Sequence, residues 1–177
     1  MANLTASVLQ LSASISSVEV NREFDEKDWE KSVLLDYGKL TFPPTLEENQ
    51  PKLTQRQKAE YREDLDNLRN QLSVIDQQVK QKQQDLVEIE ARVRNLRQSY
   101  SFAKKELDIT KPLADEGVVP RIELLKLQRQ VNESRREMTS SELKIPVIKS
   151  SIKEAMLNRI DVALKFRSEQ QLSLIHI

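Results

Sequence analysis

An apolar stripe with a period of about 3.5 residues runs through the middle of the chain and limits what it can fold into. From Tyr61, alternating steps of four and three residues reach an apolar side chain each time except at Lys82. This first stripe comprises Tyr61, Leu65, Leu68, Leu72, Ile75, Val79, Leu86, Ile89, Val93, Leu96, Tyr100, Ala103 and Leu107. Such a period keeps one narrow face of a helix against a partner helix as both supercoil. The pattern predicts a long coiled-coil helix.

A second stripe follows after a connection of about five residues, 116–120. Two long stripes joined so closely must return antiparallel, so that each helix buries its stripe against the other. The sequence therefore predicts an all-α fold, a long antiparallel two-helix coiled-coil hairpin over 54–171 with its tip near 115–121. The second stripe comprises Leu124, Leu127, Val131, Ser134, Met138, Ser141, Ile145, Ile148, Ile152, Ala155, Met156, Ile160 and Leu164.

Several residues mark where the helices begin, end or bend. Thr54 followed by Gln57 has the spacing of a capping box, which predicts the start of the first helix. Gly117 predicts a left-handed residue closing that helix. Pro146 lies within the second helix and is expected to bend it. Lys82 either sets the register of the coiled coil or extends its ammonium group to solvent.

The first 53 residues have a different character. Residues 1–20 predict a short amphipathic helix whose apolar face is formed by Leu4, Val8, Leu11 and Ile15. Residues 21–53 contain one glycine and three prolines and predict an extended connector loop. A long loop needs a packing partner, and we expect Trp29, Phe42 and Leu46 to lie against the long helices.

The last six residues, 172–177, read LSLIHI and interrupt the polar character of the preceding helix. We interpret them as a truncated or non-native tail. They hold the one histidine of the chain, His176.

Composition argues against an enzyme. The chain has no cysteine, two glycines and a single histidine, so thiol chemistry, a phosphate-binding glycine loop and histidine clusters are not expected. Carboxylates on a two-helix rod point into water, where no cleft shifts their pKa. We predict no catalytic residues, no metal site and no cofactor.

The charge balance and hydropathy of the chain limit its partners. Its 28 basic and 28 acidic side chains cancel, which removes the diffuse attraction of a nucleic-acid binder for phosphate. No stretch approaches the roughly 20 apolar residues of a membrane span. The N-terminus has no basic region followed by a compact apolar core, so we do not predict a signal peptide.

The hairpin tip is the candidate partner-binding site. Two β-branched apolar residues, Val118 and Val119, stand at the end of a long helical pair, where exposure to water is unfavourable unless something covers them. They either close the end of the coil against Leu113 and Leu124 or face a partner. The predicted site comprises Leu113, Glu116, Gly117, Val118, Val119, Pro120 and Arg121.

Three runs of sequence carry a resemblance to a known family. They are LTFPPTLEENQP before the first long helix, LADEGVVPRIELLKLQRQVNE at the tip, and ELKIPVIKSSIKEA in the returning helix. The chain resembles the HlyD-type periplasmic adaptors, or membrane fusion proteins, of type I secretion systems, and among them the LapC-like subgroup. In drug-efflux relatives the tip carries Arg, Leu and Ser where this chain has Ile109, Leu113 and Pro120, and only the leucine matches.

The resemblance implies a structural role in protein secretion. Such adaptors are anchored in the inner membrane of Gram-negative bacteria and form a homo-oligomeric ring, commonly of six, around an ATP-binding-cassette transporter. Their hairpins cross the periplasm to a TolC-like outer-membrane channel. The chain would correspond to the helical domain alone, without the family's membrane anchor, lipoyl-like domain and β-barrel domain.

A second interpretation needs no transport role. A coiled coil of this composition also suits a scaffold protein that associates with itself. The hairpin predicts an elongated monomer in hydrodynamic measurements, whereas the scaffold predicts a parallel dimer.

Overall fold

The structure is a computed structural model that describes residues 1–176. It is all-α, with a long antiparallel coiled-coil hairpin, a short N-terminal helix and a connector, which confirms the predicted fold class. Within the described residues, no helix is both long enough and apolar enough to cross a membrane. The helices are α1 (Ala2–Ser16), α2 (Pro44–Asn49), α3 (Pro51–Asp115), α4 (Arg121–Glu142) and α5 (Lys144–Ile175).

The chain divides into two compact units. The first, here called the layered unit, contains residues 1–80 and 153–176, and the second, the hairpin unit, contains Gln81–Ile152. Helices α3 and α5 each continue from one unit into the other. Both units therefore contain a segment of each long helical arm of the coiled coil. The domain boundaries proposed from the sequence stay a prediction.

Both predicted stripes form the contact face of the hairpin. Each position of the first stripe is buried or half-buried, and so is each position of the second. Lys82 is half-buried, in keeping with its place in the first stripe. The 3.5-residue period thus identifies the inward face of both long helices correctly.

The predicted capping box is wrong, because α3 begins at Pro51 rather than after Thr54. Proline suits the first turn of a helix, where its missing N–H has no intrahelical partner to lose. The Thr54 hydroxyl donates to the Pro51 carbonyl at 3.0 Å, and the Gln57 side chain donates to Glu60 at 3.4 Å. Neither side chain caps a helix end.

The returning helical arm of the hairpin is interrupted at Leu143, between α4 and α5. Pro146 lies three residues later, and its ring conflicts with the carbonyl four residues upstream, that of Glu142. The same proline has no N–H for that carbonyl to accept. The predicted effect of Pro146 is confirmed and takes the form of a break in the helix.

The connector and the three residues before it contain short regular elements that the sequence did not predict. Strands β1 (Val18–Val20) and β2 (Val33–Leu35) pair antiparallel, with Val20 opposite Val33. A 3-10 helix, Trp29–Ser32, leads directly into β2. The apolar side of this ribbon packs on the long helices within one core cluster, whose buried members are Ala13, Val18, Val33, Tyr61, Leu65, Leu68, Leu72, Ile160 and Ala163.

The expected packing of connector side chains is confirmed. Trp29 and Phe42 are buried, and Leu46 is half-buried. The Phe42 ring lies under the Lys58 ammonium group of α3, at 5.9 Å from the ring centroid. Aromatic side chains supply much of the apolar area by which the connector is held.

The predicted apolar face of α1 is confirmed in part. Leu11 is buried, Val8 and Ile15 are half-buried, and only Leu4 is exposed, at 48%. The positions buried deepest are Ala6, Gln10, Ala13 and Ser14. The Ser14 hydroxyl donates to the Gln10 carbonyl of the same helix at 3.1 Å, so burial leaves it with a partner.

A buried arginine joins the connector to both long helices. Arg159 of α5 is 6% exposed, and its Nε donates to Asp76 of α3 at 2.8 Å. Its Nη1 donates to the Ser32 hydroxyl at 3.2 Å and to the Val33 carbonyl at 3.3 Å. The guanidinium also stands over the Trp29 ring, 5.7 Å from its centroid. One cation of α5 thus satisfies acceptors on two other segments, α3 and the connector, and nothing in the sequence distinguishes it from other arginines.

Helix α5 continues into the segment interpreted as a tail. It ends at Ile175, with Leu172 and Ile175 exposed, and the His176 N–H donates to the Leu172 carbonyl at 3.1 Å. Ile177 lies outside the described residues. The non-native or truncated origin of 172–177 stays a prediction.

Candidate partner-binding site at the hairpin tip

The turn at the tip closes α3 with a Schellman motif. Gly117 has a φ of 79°, as predicted from the sequence. Its N–H donates to the Ala114 carbonyl at 3.2 Å, and the Val118 N–H donates to the Leu113 carbonyl at 2.9 Å. These two bonds satisfy carbonyl groups that the end of a helix leaves without partners. The tip is therefore held in one backbone conformation.

The two valines of the tip lie in different surroundings. Val118 is 69% exposed, whereas Val119 is half-buried and donates its N–H to the Leu113 carbonyl at 3.2 Å. Leu113, on the last turn of α3, is 38% exposed. Val118 is thus the most exposed apolar side chain of this turn.

The remaining predicted residues frame the turn. The Glu116 N–H donates to the Pro112 carbonyl at 3.0 Å, which continues the helical hydrogen bonding beyond α3. Pro120 is the N-cap residue of α4, with extended backbone angles, and accepts the Glu123 N–H at 2.9 Å. Arg121 is the first residue of α4 and is exposed. The seven predicted residues form one contiguous surface because they are consecutive or nearly so.

Charges at the tip do not follow the helix dipoles. Glu116 lies at the C-terminal end of α3, where negative charge is unfavourable, and Arg121 lies at the N-terminal end of α4, where positive charge is unfavourable. Glu123 has the favourable sign for its place and pairs with Lys126 at 3.7 Å. Helix stability alone does not explain the charges of Glu116 and Arg121.

Three more apolar side chains are exposed on the helices beside the tip and were not among the seven predicted site residues. Ile109 is 68% exposed, Ile122 is 62% exposed and Leu125 is 53% exposed. All three fall outside the coiled-coil stripes, and an apolar residue off the stripe was the signal available. With Leu113 and Val118, they extend the apolar surface from the turn onto both helices.

Pairing across the hairpin unit is antiparallel and occurs within one chain. Arg97 of α3 donates to Glu142 of α4 at 2.6 Å, and Lys149 of α5 lies 4.0 Å from Glu90. As the residue number rises on one helix, it falls on the other. This order is that of a hairpin and differs from the parallel pairing of the scaffold interpretation.

Residues 1–176 contain no group of histidine and acidic side chains arranged to hold a metal ion. The exposed side chains of the tip are apolar or singly charged. The assignment of the tip as a partner-binding site stays a prediction.

Comparison with known proteins identifies a family. No curated protein matches the chain. A family model described as "AprE, long alpha-helical hairpin" matches residues 35–175, which include the end of the connector, both long helical segments and the tip. That family is the helical hairpin of AprE-type secretion adaptors, a non-enzymatic kind of protein. The chain belongs to the AprE long alpha-helical hairpin family.

Proposed function

We propose that the chain is the bridging hairpin of a periplasmic adaptor in a type I secretion system, of the HlyD type and similar to the LapC-like subgroup. The family match over residues 35–175 carries this proposal. In it, the hairpin links an inner-membrane ATP-binding-cassette transporter to a TolC-like outer-membrane channel. The complete protein is anchored in the inner membrane and forms a ring, commonly of six copies, through which a polypeptide is exported.

The exposed tip supports a contact with the channel. Val118 and Ile122 present apolar area to water, and the Schellman motif fixes the backbone between α3 and α4 before any partner binds. A surface held in its bound conformation loses little conformational entropy on binding. The proposed contact residues are Leu113, Glu116, Gly117, Val118, Val119, Pro120 and Arg121.

The ion pairs across the hairpin unit favour this proposal over a self-associating scaffold. A scaffold of parallel helices would place residues of similar number side by side. Here Arg97 pairs with Glu142 within one chain, at 2.6 Å. We therefore expect an elongated monomer for the isolated chain in sedimentation velocity.

A single substitution tests the tip. Val118→Asp in the complete adaptor places a carboxylate in the proposed contact, where its desolvation opposes binding. We expect co-purification of the adaptor with the outer-membrane channel to fall at least about tenfold, and secretion to fall with it. Helicity, measured by circular dichroism, should be unchanged because Val118 lies outside the helices.

Val87→Asp is the matched control. Val87 is 64% exposed in the hairpin unit and lies on α3 outside both stripes. It introduces the same charge at a similar exposure but away from the turn. Secretion that continues at the normal rate in Val118→Asp, or that falls equally in both variants, would contradict the assignment of the tip.

A further inference from the structure

A shallow basic groove lies along the hairpin unit beside the break at Leu143. Two adjoining concave surfaces, which share Arg136 and Ser140, form it. The first extends over Asn132, Arg135, Thr139 and Leu143, and the second reaches Arg92 and Lys144. This surface, the basic groove, is separate from the seven residues proposed at the tip.

The groove holds positive charge that its own lining does not neutralise. The lining contains one carboxylate, that of Glu137, and four cations. These cations are Arg92, Arg135, Arg136 and Lys144. None of these four cations takes part in an ion pair found within residues 1–176.

Three other basic residues of the same unit form ion pairs. Arg97 pairs with Glu142, Lys126 with Glu123, and Lys149 lies near Glu90. Glu142 stands two residues before Lys144 in sequence but is already bound to Arg97 at 2.6 Å. What distinguishes the groove is the grouping of its four cations around a single lining carboxylate.

The groove's shape selects among anions. The lining extends from Asn132 to Lys144, which is about 18 Å along a helix. A single phosphate group would meet one end of it, whereas an extended peptide of about six residues would span it. Guanidinium groups bind carboxylates through two parallel hydrogen bonds, and Thr139 and Ser140 add hydroxyl partners.

The apolar content of the groove favours a polypeptide over a nucleic acid. Leu143 is 66% exposed at one end and offers contact to an apolar side chain. The lining contains no aromatic ring, and unpaired bases need such rings to stack upon. The chemistry that fits is a run of carboxylates with an apolar residue among them.

We propose that the basic groove binds an extended acidic segment of a partner protein. The contact is made by Arg92, Arg135, Arg136 and Lys144 with carboxylates, and by Leu143 with an apolar side chain. It goes beyond the proposed function, because it involves neither the tip nor the outer-membrane channel.

A titration with a synthetic peptide tests this proposal. The 177-residue chain is titrated against a fluorescent ten-residue peptide containing six glutamates and two leucines, and binding is followed by fluorescence anisotropy at low and high salt. We expect binding that weakens with salt and that is lost when glutamine replaces each glutamate. Arg135→Glu with Arg136→Glu should weaken binding at least about tenfold, because two attractions become repulsions.

Lys104→Glu with Lys105→Glu is the matched control, since it makes the same charge change at two exposed residues of α3 outside the groove. We expect it to weaken binding less than about twofold. If the charge reversal in the groove lowers helicity, Arg135→Gln with Arg136→Gln replaces it, with the same expected direction.

Four results would overturn the proposal. They are no binding of the acidic peptide, equal weakening by the control pair, tighter binding of a single-stranded oligonucleotide at the same residues, and self-association of the chain that the groove variants abolish. The last two would assign the groove to a nucleic acid or to a second copy. None of these results bears on the tip, which the Val118→Asp experiment tests separately.

Discussion

The layered unit and the hairpin unit share one heptad pattern but bury it to different depths. In the layered unit, Leu65 is 0% exposed and Leu68 is 1% exposed. In the hairpin unit, the deepest stripe residue, Val93, is 4% exposed, and many others, such as Leu96, are only half-buried. In the layered unit, α1 and the β1–β2 ribbon pack on the two long helical arms. The hairpin unit consists of the two long helical arms alone. Two helices leave the sides of their stripe open to water, and additional packed elements cover it.

This difference predicts where the free energy of folding resides. Full burial of an aliphatic side chain stabilises a protein by roughly 1.5–3 kcal/mol relative to exposure. Stripe residues of the layered unit obtain most of that benefit, and those of the hairpin unit obtain part of it. We therefore expect the hairpin unit to open more readily, which hydrogen exchange can resolve residue by residue.

The largest expected effect comes from removing a fully buried leucine. Leu65→Ala should lower the free energy of unfolding by about 3–5 kcal/mol, because it leaves a cavity in the core of the layered unit. Leu96→Ala, at a stripe position of the hairpin unit, should lower it by about 1–2 kcal/mol, since water and neighbouring side chains fill the space. Urea denaturation measures both. Equal losses would show that α1 and the β1–β2 ribbon add nothing to the burial of the stripe.

Removing the cation of an ion pair should also distinguish the units. Arg159→Met leaves Asp76 without its 2.8 Å partner and leaves the Val33 carbonyl and Ser32 hydroxyl without a donor. We expect a loss of about 2–4 kcal/mol and faster amide exchange in residues 29–35.

Arg97→Met is the control for Arg159→Met. Arg97 makes a bond of 2.6 Å to Glu142, but its side chain is 67% exposed. Exposed pairs contribute about 0–1 kcal/mol, so this change should be small even though the distance is shorter. A larger loss for Arg97→Met than for Arg159→Met would mean that burial does not determine the contribution of these pairs.

A smaller effect is expected at the tip of the hairpin unit. Gly117→Ala forces a side chain into the left-handed region, at a φ of 79°, and should cost about 1–2 kcal/mol although the added carbon would meet no atom within 4 Å. Gly38→Ala, where φ is not positive, should change the free energy of unfolding by a few tenths of a kcal/mol. Equal effects in thermal denaturation would contradict the role of the Schellman motif.

The smallest effect is a pH dependence in the layered unit. The expectation that carboxylates of the long helices keep their ordinary pKa is wrong at Asp64 of α3. Burial raises the pKa of Asp64 above its ordinary value, and the charge of Glu60 adds to this, while the Gln10 amide, donating at 3.3 Å, acts against it. Between the ordinary carboxyl pKa and the raised one, Asp64 holds a proton in the folded state that it has released in the unfolded state. The free energy of unfolding therefore falls as pH rises through this interval.

Asp64→Asn removes that dependence and keeps an oxygen for Gln10. We expect a small rise in melting temperature at neutral pH, and no rise at a pH well below the ordinary carboxyl pKa. A variant that is less stable than the parent at neutral pH would show that the Asp64 carboxylate is favourable in the folded state.

Much of the fold was predictable because the coiled coil is a periodic structure. The stripes through Leu65 and Ile152 identify the inward face of each helix, Gly117 marks the turn, and Pro146 marks the break at Leu143. Each of these signals is local, and each acts through backbone geometry or the spacing of side chains. The candidate tip follows from the same signals, since it lies where the two stripes meet.

The features that were missed depend on contacts between distant residues. Arg159 resembles any other arginine of a charged helix until Asp76, Trp29 and Val33 surround it. The burial of Gln10 and Ser14 in α1 likewise depends on tertiary neighbours, which hydropathy does not register. The cations of the basic groove gain significance only because folding brings Arg92 of α3 beside the cations of α4 and α5.

The sequence by itself determined that the chain forms two long helices, which face they share and where the chain reverses. The spacing of apolar residues every three and four positions is enough for this, since a helix converts spacing directly into a surface. The tertiary structure decided how deeply each part of that surface is buried, through the number of elements packed against it. Burial depends on neighbours far away in the sequence, and it determines which leucines, ion pairs and carboxylates contribute to stability.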